Sequence, residues 1–343
     1  MDSAASHGPP AGLEPEGQIA PDRWENLCEN ITAGECAPVI GAGVCGPLIP
    51  AGAELACRWA ADCRYPLKDR HDLARVAQYR STRVSPASAQ TWVQQRFTEY
   101  LEELPDDYLS DDLDEPHRVL AALPLSVYIT TNYDDLLTRA LRGRKKDPRP
   151  MLCQWCGSEP HGPDPTDDGA PAAATSPNAT DATRSEDSPL VFHLHGRYRE
   201  RGSMVVSEDD YLDFLVRMSS DSQVGLGTAQ DKLLPNEIRN ALTRLPLLFI
   251  GYSFRDWNFR LLMRSLANSR QRTLQTRGVT VQLPCDEVPP GRRHTAEEYL
   301  TEYFKQMTCI EHMDVFWGDA RQFVSRLRHD LRIDAVPAAA GAP

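Results

Sequence analysis

Six short apolar runs alternate with helical stretches along the chain, and we predict that these runs are β-strands. They occupy residues 36–40, 125–131, 190–194, 245–250, 279–283 and 314–317. Most of them are apolar at successive positions, which is typical of strands buried on both faces of a parallel sheet. Strands that alternate with helices predict an α/β fold, in which a parallel sheet is covered by helices on both faces.

Helical periodicity fills most of the intervals between these strands. We predict helices over residues 24–31, 136–141, 207–216, 259–266 and 323–331. Ser207 and Asp210 have the spacing of a capping box at the start of one of them. Between the first two strands, residues 54–120 are mainly helical and contain few strand-like runs, so we expect an inserted helical subdomain there.

Three segments lack an apolar period and are expected to be disordered. They are an N-terminal tail of residues 1–22, a loop of about residues 157–189 rich in Pro, Asp, Ala, Ser and Thr, and a C-terminal tail of residues 336–343. The remainder, residues 23–335, is long enough to bury a substantial core and is predicted to form one domain.

Composition and charge exclude several classes of protein. The 343 residues carry a formal net charge of −12, which argues against direct binding of nucleic acid, since phosphates need clustered Lys and Arg. We expect no membrane span, because no run of about 18 apolar residues occurs. The first twenty residues do not resemble a signal peptide, and the nine cysteines are scattered along the chain. We therefore expect a cytoplasmic protein in a reducing compartment.

Four of the predicted strands end in small or polar residues, and ligands of open α/β sheets bind outside the carboxyl ends of strands. The first cluster, Gly41 to Gly46, has the spacing Gly-x-Gly-x-x-Gly directly after a strand. Glycines there let backbone N–H groups approach a pyrophosphate, and the alternative is an ordinary glycine turn. No acidic residue that would bind a ribose is evident at the end of the next strand.

Two further clusters offer polar side chains for a ligand. Asn132 and Asp134 follow the second strand, where an amide can hold a water or a sugar hydroxyl and a carboxylate can anchor another polar group. The alternative is that they only cap the next helix. Gly251 ends the fourth strand, and Ser253 after it is a candidate for holding a phosphate or a ribose.

The remaining cluster contains two histidines that lie two residues apart on a strand and so face the same way. His195 is followed by a glycine at the strand end, where a neutral imidazole can accept a proton near physiological pH. The alternative is that it is structural. His193 is a candidate metal ligand, but the sequence shows no set of partner ligands for it.

Taken in order, these clusters resemble the sirtuin family, and their flanks resemble its branch of prokaryotic antiphage-defence effectors. The matching stretches are Gly41-Ala42-Gly43, Thr131-Asn132-Tyr133-Asp134, Phe192-His193-Leu194-His195-Gly196, Phe249-Ile250-Gly251-Tyr252-Ser253 and Phe316-Trp317-Gly318. The resemblance covers most of residues 24–331. It implies a Rossmann-like domain with a smaller helical module, and NAD bound between them.

The same resemblance implies a role for each site residue. His195 would be the catalytic base, Asn132 would sit near the nicotinamide ribose and orient the water, and Asp134 would help bind the nicotinamide end. The residues that would contact the rest of NAD are Gly41, Ala42, Gly43, Cys45, Thr131, Gly251 and Ser253, with the glycine loop at the pyrophosphate and Ser253 at the adenosine.

The chain departs from the family in three places. Cys45 stands where the family usually has Ser or Thr, which puts that hydroxyl contact in doubt. The Pro-x-Phe-Arg run of protein deacylases is missing after Pro50. Deacylases also carry two Cys-x-x-Cys pairs for zinc, but only Cys153 and Cys156 have that spacing here. One pair supplies two of the four usual ligands, so no metal is expected.

We therefore expect an NAD hydrolase that cleaves NAD to nicotinamide and ADP-ribose, with water as the acceptor and an oxocarbenium-like transition state. By resemblance, such an enzyme depletes NAD during phage infection and stays silent until it is triggered. A homo-oligomer is expected, and a hexameric ATPase or a sensor protein is a candidate partner. The alternatives are a regulatory module that binds NAD or ADP-ribose without turnover and, less favoured, a protein deacylase.

Overall fold

A seven-stranded parallel sheet forms the centre of the chain, which we analysed as a computed structural model. The structure describes residues 19–46, 48–105, 108–109, 112–156, 185–223, 233–252, 277–283, 292–308, 310 and 312–333. The strands are β1 (Ala37–Ile40), β2 (Val127–Thr130), β3 (Arg149–Leu152), β4 (Leu190–His193), β5 (Leu247–Ile250), β6 (Arg277–Gln282) and β7 (His312–Trp317).

Helices occupy most of the intervals between the strands. They are α1 (Pro21–Thr32), α2 (Gly52–Asp62), α3 (Leu73–Arg83), α4 (Pro86–Glu102), α5 (Pro116–Ala122), α6 (Leu136–Gly143), α7 (Glu208–Gln223), α8 (Asn236–Arg244), α9 (Arg293–Thr308) and α10 (Ala320–Asp330). No helix among the described residues has both the length and the apolar character needed to cross a membrane.

The sheet reverses its direction of growth at its central strand. The order is β3-β4-β2-β1-β5-β6-β7, so the strands after β1 are added first on one side and then on the other. Val39 of β1 pairs with Ile129 of β2 and with Phe249 of β5. In open α/β sheets, ligands bind in the crevice outside the strand ends at such a switch point. The topology therefore places the predicted strand-end clusters where a ligand site is expected.

The sheet is buried on both faces, because successive apolar residues of each strand point to opposite sides. Ile40, Tyr128 and Ile250 pack in one core with α1 to α6 and α10. Val39, Ile129 and Phe249 pack in a second core with α7, α8 and α9. This arrangement confirms the predicted α/β fold with helices on both faces of a parallel sheet.

All six predicted strands are present, and a seventh was missed. Strand β3 reads Arg-Pro-Met-Leu and is half-buried along its length at the edge of the sheet, so it lacks the apolar run that marks the others. The helical stretch after β1 contains four helices, α2 to α5, and the assignment of residues 54–120 to a separate subdomain stays a prediction. The predicted helix at residues 259–266 lies outside the described residues.

The capping box predicted for α7 is confirmed. Asp210 N–H donates to Ser207 Oγ over 3.2 Å, and Ser207 N–H donates to Asp210 Oδ2 over 2.9 Å. Two of the predicted disordered segments, the N-terminal tail and the loop of about residues 157–189, extend too far at their C-terminal ends. Ile19 is buried and α1 begins at Pro21, inside the proposed tail. Asp187 accepts a hydrogen bond from Asp147 N–H, so the loop ends before residue 189.

Candidate functional site

The carboxyl ends of four neighbouring strands carry the predicted site residues to one edge of the sheet. In the order β4-β2-β1-β5 these strands end at His193, Thr130, Ile40 and Ile250. Parallel strands lie about 4.8 Å apart, so the ends of β4 and β1 are about 10 Å apart. His195 and the glycine loop therefore lie on the same edge of the sheet, as a shared dinucleotide site requires.

The glycines after β1 and β5 are required by the close approach of two backbones. A Cβ on Gly41 would lie 2.7 Å from Gly251 O, and one on Gly43 would lie 2.9 Å from Gly251 Cα. Gly251 has a φ of +81°, and a Cβ there would meet Gly41 O at 2.4 Å. Contacts below 3.0 Å exclude a side chain, so the glycine pattern has a packing cause that needs no ligand.

Most backbone N–H groups of this loop are already bonded within the protein. Gly41 N–H donates to Ile250 O over 2.9 Å, and Gly43 N–H donates to Gly251 O over 2.8 Å. Ala42 is exposed, and its N–H has no carbonyl partner among the described residues. In this arrangement, Ala42 N–H is the amide of the Gly41-Ala42-Gly43 segment that is available to an anion.

Tyr252 closes the other side of the same loop. Its hydroxyl donates to Ile40 O over 3.0 Å and lies 3.0 Å from Thr131 Oγ1. A Cβ on Gly41 would also meet the Tyr252 ring at 2.8 Å. Thr131, a predicted site residue, is thus connected to β1 and β5. The sequence analysis did not single out Tyr252, although it lies within the Gly251-Tyr252-Ser253 stretch.

Asn132 is buried at the base of the site with one end of its side chain fixed. Its Nδ2 donates to Gly41 O over 3.3 Å and to Cys45 Sγ over 3.4 Å. Only 8% of the residue is exposed, and its Oδ1 has no hydrogen-bond partner among the described residues. A buried acceptor without a partner is unfavourable by about 1–3 kcal/mol, so this oxygen is suited to a donor from a bound molecule or a water.

Cys45 and Asp134 connect the glycine loop to the segment after β2. The Cys45 thiol donates to Asp134 Oδ2 over 3.3 Å, and Asp134 Oδ1 accepts from the N–H of Leu136 at the start of α6. Asp134 therefore satisfies the first N–H of α6 from the position before the N-cap, Asp135, and also faces the site. Burial raises the pKa of Asp134 above its usual range. Burial and the neighbouring Asp134 raise the pKa of Cys45 well above its usual range, which keeps the thiol protonated.

A buried acidic and basic pair lies behind these two residues. His117 Nδ1 lies 2.7 Å from Glu115 Oε1, and Arg118 N–H donates to Glu115 Oε2 over 2.6 Å. Burial opposes the charge on both side chains, but their mutual attraction outweighs it, so the pKa of His117 is raised and that of Glu115 is lowered. The sequence analysis missed both residues, since nothing in their spacing marks them and only the packing of α5 brings them here.

His195 lies in an aromatic pocket formed by α7. The rings of Tyr211 and Phe214 meet its imidazole edge-on, with centroids 5.4 and 5.2 Å away. The residue is 5% exposed, and burial lowers its pKa to about 3. The low pKa means that the imidazole is neutral at physiological pH. No described residue makes a hydrogen bond to the ring.

His193 is fully buried on the inner side of the same strand. Its Nδ1 lies 3.4 Å from Asn132 O, and its Nε2 has no hydrogen-bond partner among the described residues. Burial and the nearby charge of Arg197 lower its pKa to about 3. The described residues place no set of metal ligands around it.

The structure thus brings together eight of the predicted site residues, whereas His195 lies at the same sheet edge without a hydrogen bond to any of them and Ser253 is not described. The residues that meet at the switch point are Gly41, Ala42, Gly43, Cys45, Thr131, Asn132, Asp134 and Gly251. Ser253 lies outside the described residues. The thiols of Cys153 and Cys156 bond to the carbonyls of Leu233 and Gly202.

Comparisons with known proteins agree with this architecture. A sequence profile described as "SIR2-like domain" matches residues 126–306, which is more than half of the chain. The chain is 26% identical over 155 residues to the protein named NAD(+) hydrolase ThsA of Enterococcus faecium, covering 45% of this chain and 25% of that protein. It is 26% identical over 163 residues to the protein of the same name of Bacillus cereus (strain MSX-D12), covering 47% and 26%.

These relatives are much longer than the region that they share with this chain, which spans about a quarter of their length. A third protein named NAD(+) hydrolase ThsA, of Cytobacillus dafuensis, is 27% identical over 144 residues, covering 42% of this chain and 22% of that protein. The profile match and the parallel sheet with its polar switch point show that this chain belongs to the SIR2-like domain family, as its resemblance to the sirtuins predicted.

Proposed function

We propose that this chain hydrolyses NAD, with nicotinamide and ADP-ribose as products. The observation that carries the proposal is the buried, unpartnered Oδ1 of Asn132 at the switch point of the sheet. The names of the relatives, which are NAD(+) hydrolases, support the choice of ligand. A hydroxyl of the nicotinamide ribose of NAD, or the attacking water, would donate to this oxygen.

Asn132 is the group proposed to orient the nucleophile. Because Gly41 O and Cys45 Sγ hold its Nδ2, the side chain cannot rotate freely, and Oδ1 keeps one direction. An acceptor fixed in this way aligns a water without the entropy loss of ordering a mobile side chain. The nicotinamide of NAD is already cationic, so it leaves without a general acid.

His195 is proposed to accept a proton from the ribose or the water. Its imidazole is neutral, because burial lowers its pKa to about 3, so a lone pair is available at physiological pH. A base with that pKa is weak, however, and general bases work best when their pKa lies near the operating pH. We infer that the diphosphate of bound NAD, or movement of α7, raises the pKa of this imidazole in the working enzyme.

Asp134 is proposed to bind the carboxamide of nicotinamide. Its Oδ2 accepts only one thiol hydrogen bond, from Cys45 at 3.3 Å, and thiols are weak donors. A carboxamide N–H can replace that bond at little loss of free energy. Ala42 N–H, Thr131, Gly251 and Ser253 are proposed to contact the rest of the dinucleotide, since they line the same edge of the sheet or follow it directly.

A second candidate is a module that binds NAD or ADP-ribose without turnover, and two observations favour it. The N–H groups of Gly41 and Gly43 are bonded to the end of β5, and His195 is enclosed by Tyr211 and Phe214. Both features also fit a hydrolase in a silent state. We therefore propose that activity requires a trigger, with NAD depletion in antiphage defence as the biological role.

Assembly is part of the same proposal. We propose that assembly moves α7 away from His195 or frees the glycine loop from the end of β5. The assembly would be a homo-oligomer, or a complex with a hexameric ATPase or a sensor protein. Self-association of the purified chain, followed by ultracentrifugation with and without NAD, tests the oligomer directly.

The test of the main proposal measures nicotinamide release from NAD by the purified chain, alongside NAD binding by calorimetry. In the assembled, active form we expect release by the wild type, and a loss of at least about tenfold in His195→Ala and in Asn132→Ala, each with NAD binding retained. His294→Ala, at an exposed histidine, is the matched control. Binding without release, in the assembled form as well, would favour the regulatory module, and full release by His195→Ala would remove the assignment of the base.

A further inference from the structure

Three potential metal ligands converge behind the glycine loop. Cys45 Sγ, a carboxylate oxygen of Asp134 and a ring nitrogen of His117 all lie within 4.8 Å of one another, and all three residues are buried. Among the described residues, no other group of three such side chains has this spacing. A thiolate, an imidazole and a carboxylate are the donor types that Zn²⁺ prefers.

We propose that this cluster binds one divalent cation of the zinc class, with Cys45, Asp134 and His117 as its ligands. The ligands come from three separate parts of the chain: the loop after β1, the segment after β2 and helix α5. Each of these segments is held by the core, so the arrangement exists before any ion binds.

The spacing of the ligand atoms suits a single ion. Ligands at about 2.0–2.3 Å from one zinc ion lie about 3.5 Å apart in a tetrahedral site. Cys45 Sγ and Asp134 Oδ2 are already 3.3 Å apart. The ring nitrogen of His117 lies within 4.8 Å of the other two ligand atoms. A small rotation of the His117 side chain would shorten these distances to about 3.5 Å.

The surroundings of His117 are those of a metal-binding histidine. Its Nδ1 is engaged by Glu115 Oε1 at 2.7 Å, which orients the ring and leaves Nε2 as the nitrogen for a ligand. Glu115 is itself fixed by the N–H of Arg118. A carboxylate that holds the far nitrogen of a histidine in this way is a common outer contact of zinc sites, and its loss weakens metal binding about 10–100-fold.

The donor set discriminates between cations. Ca²⁺ and Mg²⁺ need several oxygen ligands, and Asp134 supplies the single carboxylate of the cluster. When zinc binds, the S–H bond of Cys45 breaks, its proton passes to solvent, and the S–Zn bond forms. Three protein ligands leave a fourth position for a water.

A consequence for activity follows, and this part alone rests on the proposed hydrolase function. An ion held by Cys45 and Asp134 removes the carboxylate that is proposed to bind nicotinamide and alters the sulfur that fixes Asn132. Zinc is therefore expected to inhibit NAD cleavage in competition with NAD.

The test measures metal binding by the full chain in the absence of NAD. Equilibrium dialysis is expected to give one high-affinity Zn²⁺ per chain, and Co²⁺ is expected to give the charge-transfer absorption of a thiolate ligand. Cys45→Ser removes that absorption and weakens Zn²⁺ binding by at least about tenfold, and His117→Gln weakens it likewise. Cys57→Ser is the control, because Cys57 Sγ lies 3.0 Å from His71 Nδ1 in a separate Cys–His pair.

The outcomes separate the site from the enzyme. Equal Zn²⁺ binding by the wild type and Cys45→Ser, with both proteins folded by circular dichroism, would overturn the site. Loss of the thiolate band in Cys57→Ser alone would overturn it as well. A chain that binds zinc at Cys45 but releases no nicotinamide would retain the metal site and contradict the hydrolase. A hydrolase that binds no zinc would contradict the metal site only.

Discussion

The thiol of Cys45 donates a hydrogen bond to Asp134 across 3.3 Å, and this contact joins the loop after β1 to the segment after β2. The same sulfur accepts from Asn132 Nδ2 at 3.4 Å. Cys45, which the sequence analysis identified as a departure from the sirtuins, thus contacts both Asp134 and Asn132 through its thiol. Two of the three side chains that the proposed chemistry needs, Asn132 and Asp134, are thus positioned by one sulfur atom.

Cys45→Ala is expected to destabilise the fold by about 1–3 kcal/mol, because it leaves Asp134 Oδ2 buried without its donor and removes one acceptor of Asn132. Urea denaturation measures the change. Cys45→Ser is the comparator, since its hydroxyl restores both bonds, and we expect it to lose less than about 1 kcal/mol. Equal stability of the alanine variant and the wild type would show that this contact does not stabilise the site.

Gly251→Ala is expected to be severely destabilising, by more than about 3 kcal/mol, because its φ is +81° and a Cβ would lie 2.4 Å from Gly41 O. Backbone atoms on both sides leave no flexible group that can move away. Gly52→Ala is the matched control: it lies in the first turn of α2 with nothing within 4 Å, and is expected to be neutral or slightly stabilising. Thermal unfolding of the two variants checks the contrast.

The fold is expected to lose stability in mild acid because of two buried neutral histidines. The pKa values of His193 and His195 are lowered by burial to about 3, against about 6.5 in an unfolded chain. Below about pH 6.5 the unfolded state binds more protons, so this stability is full above that pH and falls as the pH approaches 3. His117, whose pKa is raised, acts with the opposite sign.

The expected slope within this window is about 1.4 kcal/mol per pH unit for each of the two histidines. Denaturation at about pH 7 and about pH 5 measures it. His195→Gln is expected to reduce the loss, whereas His294→Ala, at an exposed residue, leaves it unchanged. An unchanged acid sensitivity in His195→Gln would contradict the assigned burial of this imidazole.

Tyr211→Ala is expected to open the pocket around His195, because the ring of this half-buried tyrosine covers one edge of the imidazole at 5.4 Å. Water then solvates the charged imidazole, and its pKa rises by about one unit or more from its value near 3. Histidine NMR titration measures the shift. Tyr211→Phe keeps the ring and serves as the control, and equal titration of the two variants would exclude α7 as the cause of the low pKa.

The arrangement of the sheet was predictable because its strands are apolar at successive positions. Val39 and Ile40 illustrate this, since each packs in a different core and neither position tolerates a polar side chain. Strand β3 was not predicted, because Arg149–Leu152 is half-buried at the edge of the sheet, where a continuous apolar run is not required. Edge strands are recognised by their partners rather than by their own composition.

The sequence predicts those site residues that directly follow a strand of the sheet. Asn132 and Gly251 follow parallel strands, and topology alone brings such positions together. Glu115 and His117 were not predictable, because they reach the site through the packing of α5 against α6. The glycine spacing pointed to the correct loop, but the structure assigns Gly41 and Gly43 first to backbone packing and leaves their role at a phosphate as a proposal.

The contact between Gly41 and Gly251 also determines at which stage of chain synthesis the site can form. β1 pairs with β5 through Ala37–Leu247 to Ile40–Ile250, partners that are about two hundred residues apart in the chain. Such a high contact order slows folding, and the central strand lacks one neighbour until the ribosome has completed β5. A nascent chain that ends before Tyr252 therefore has no assembled glycine loop, so this edge of the sheet takes its final form only after β5 has been synthesised.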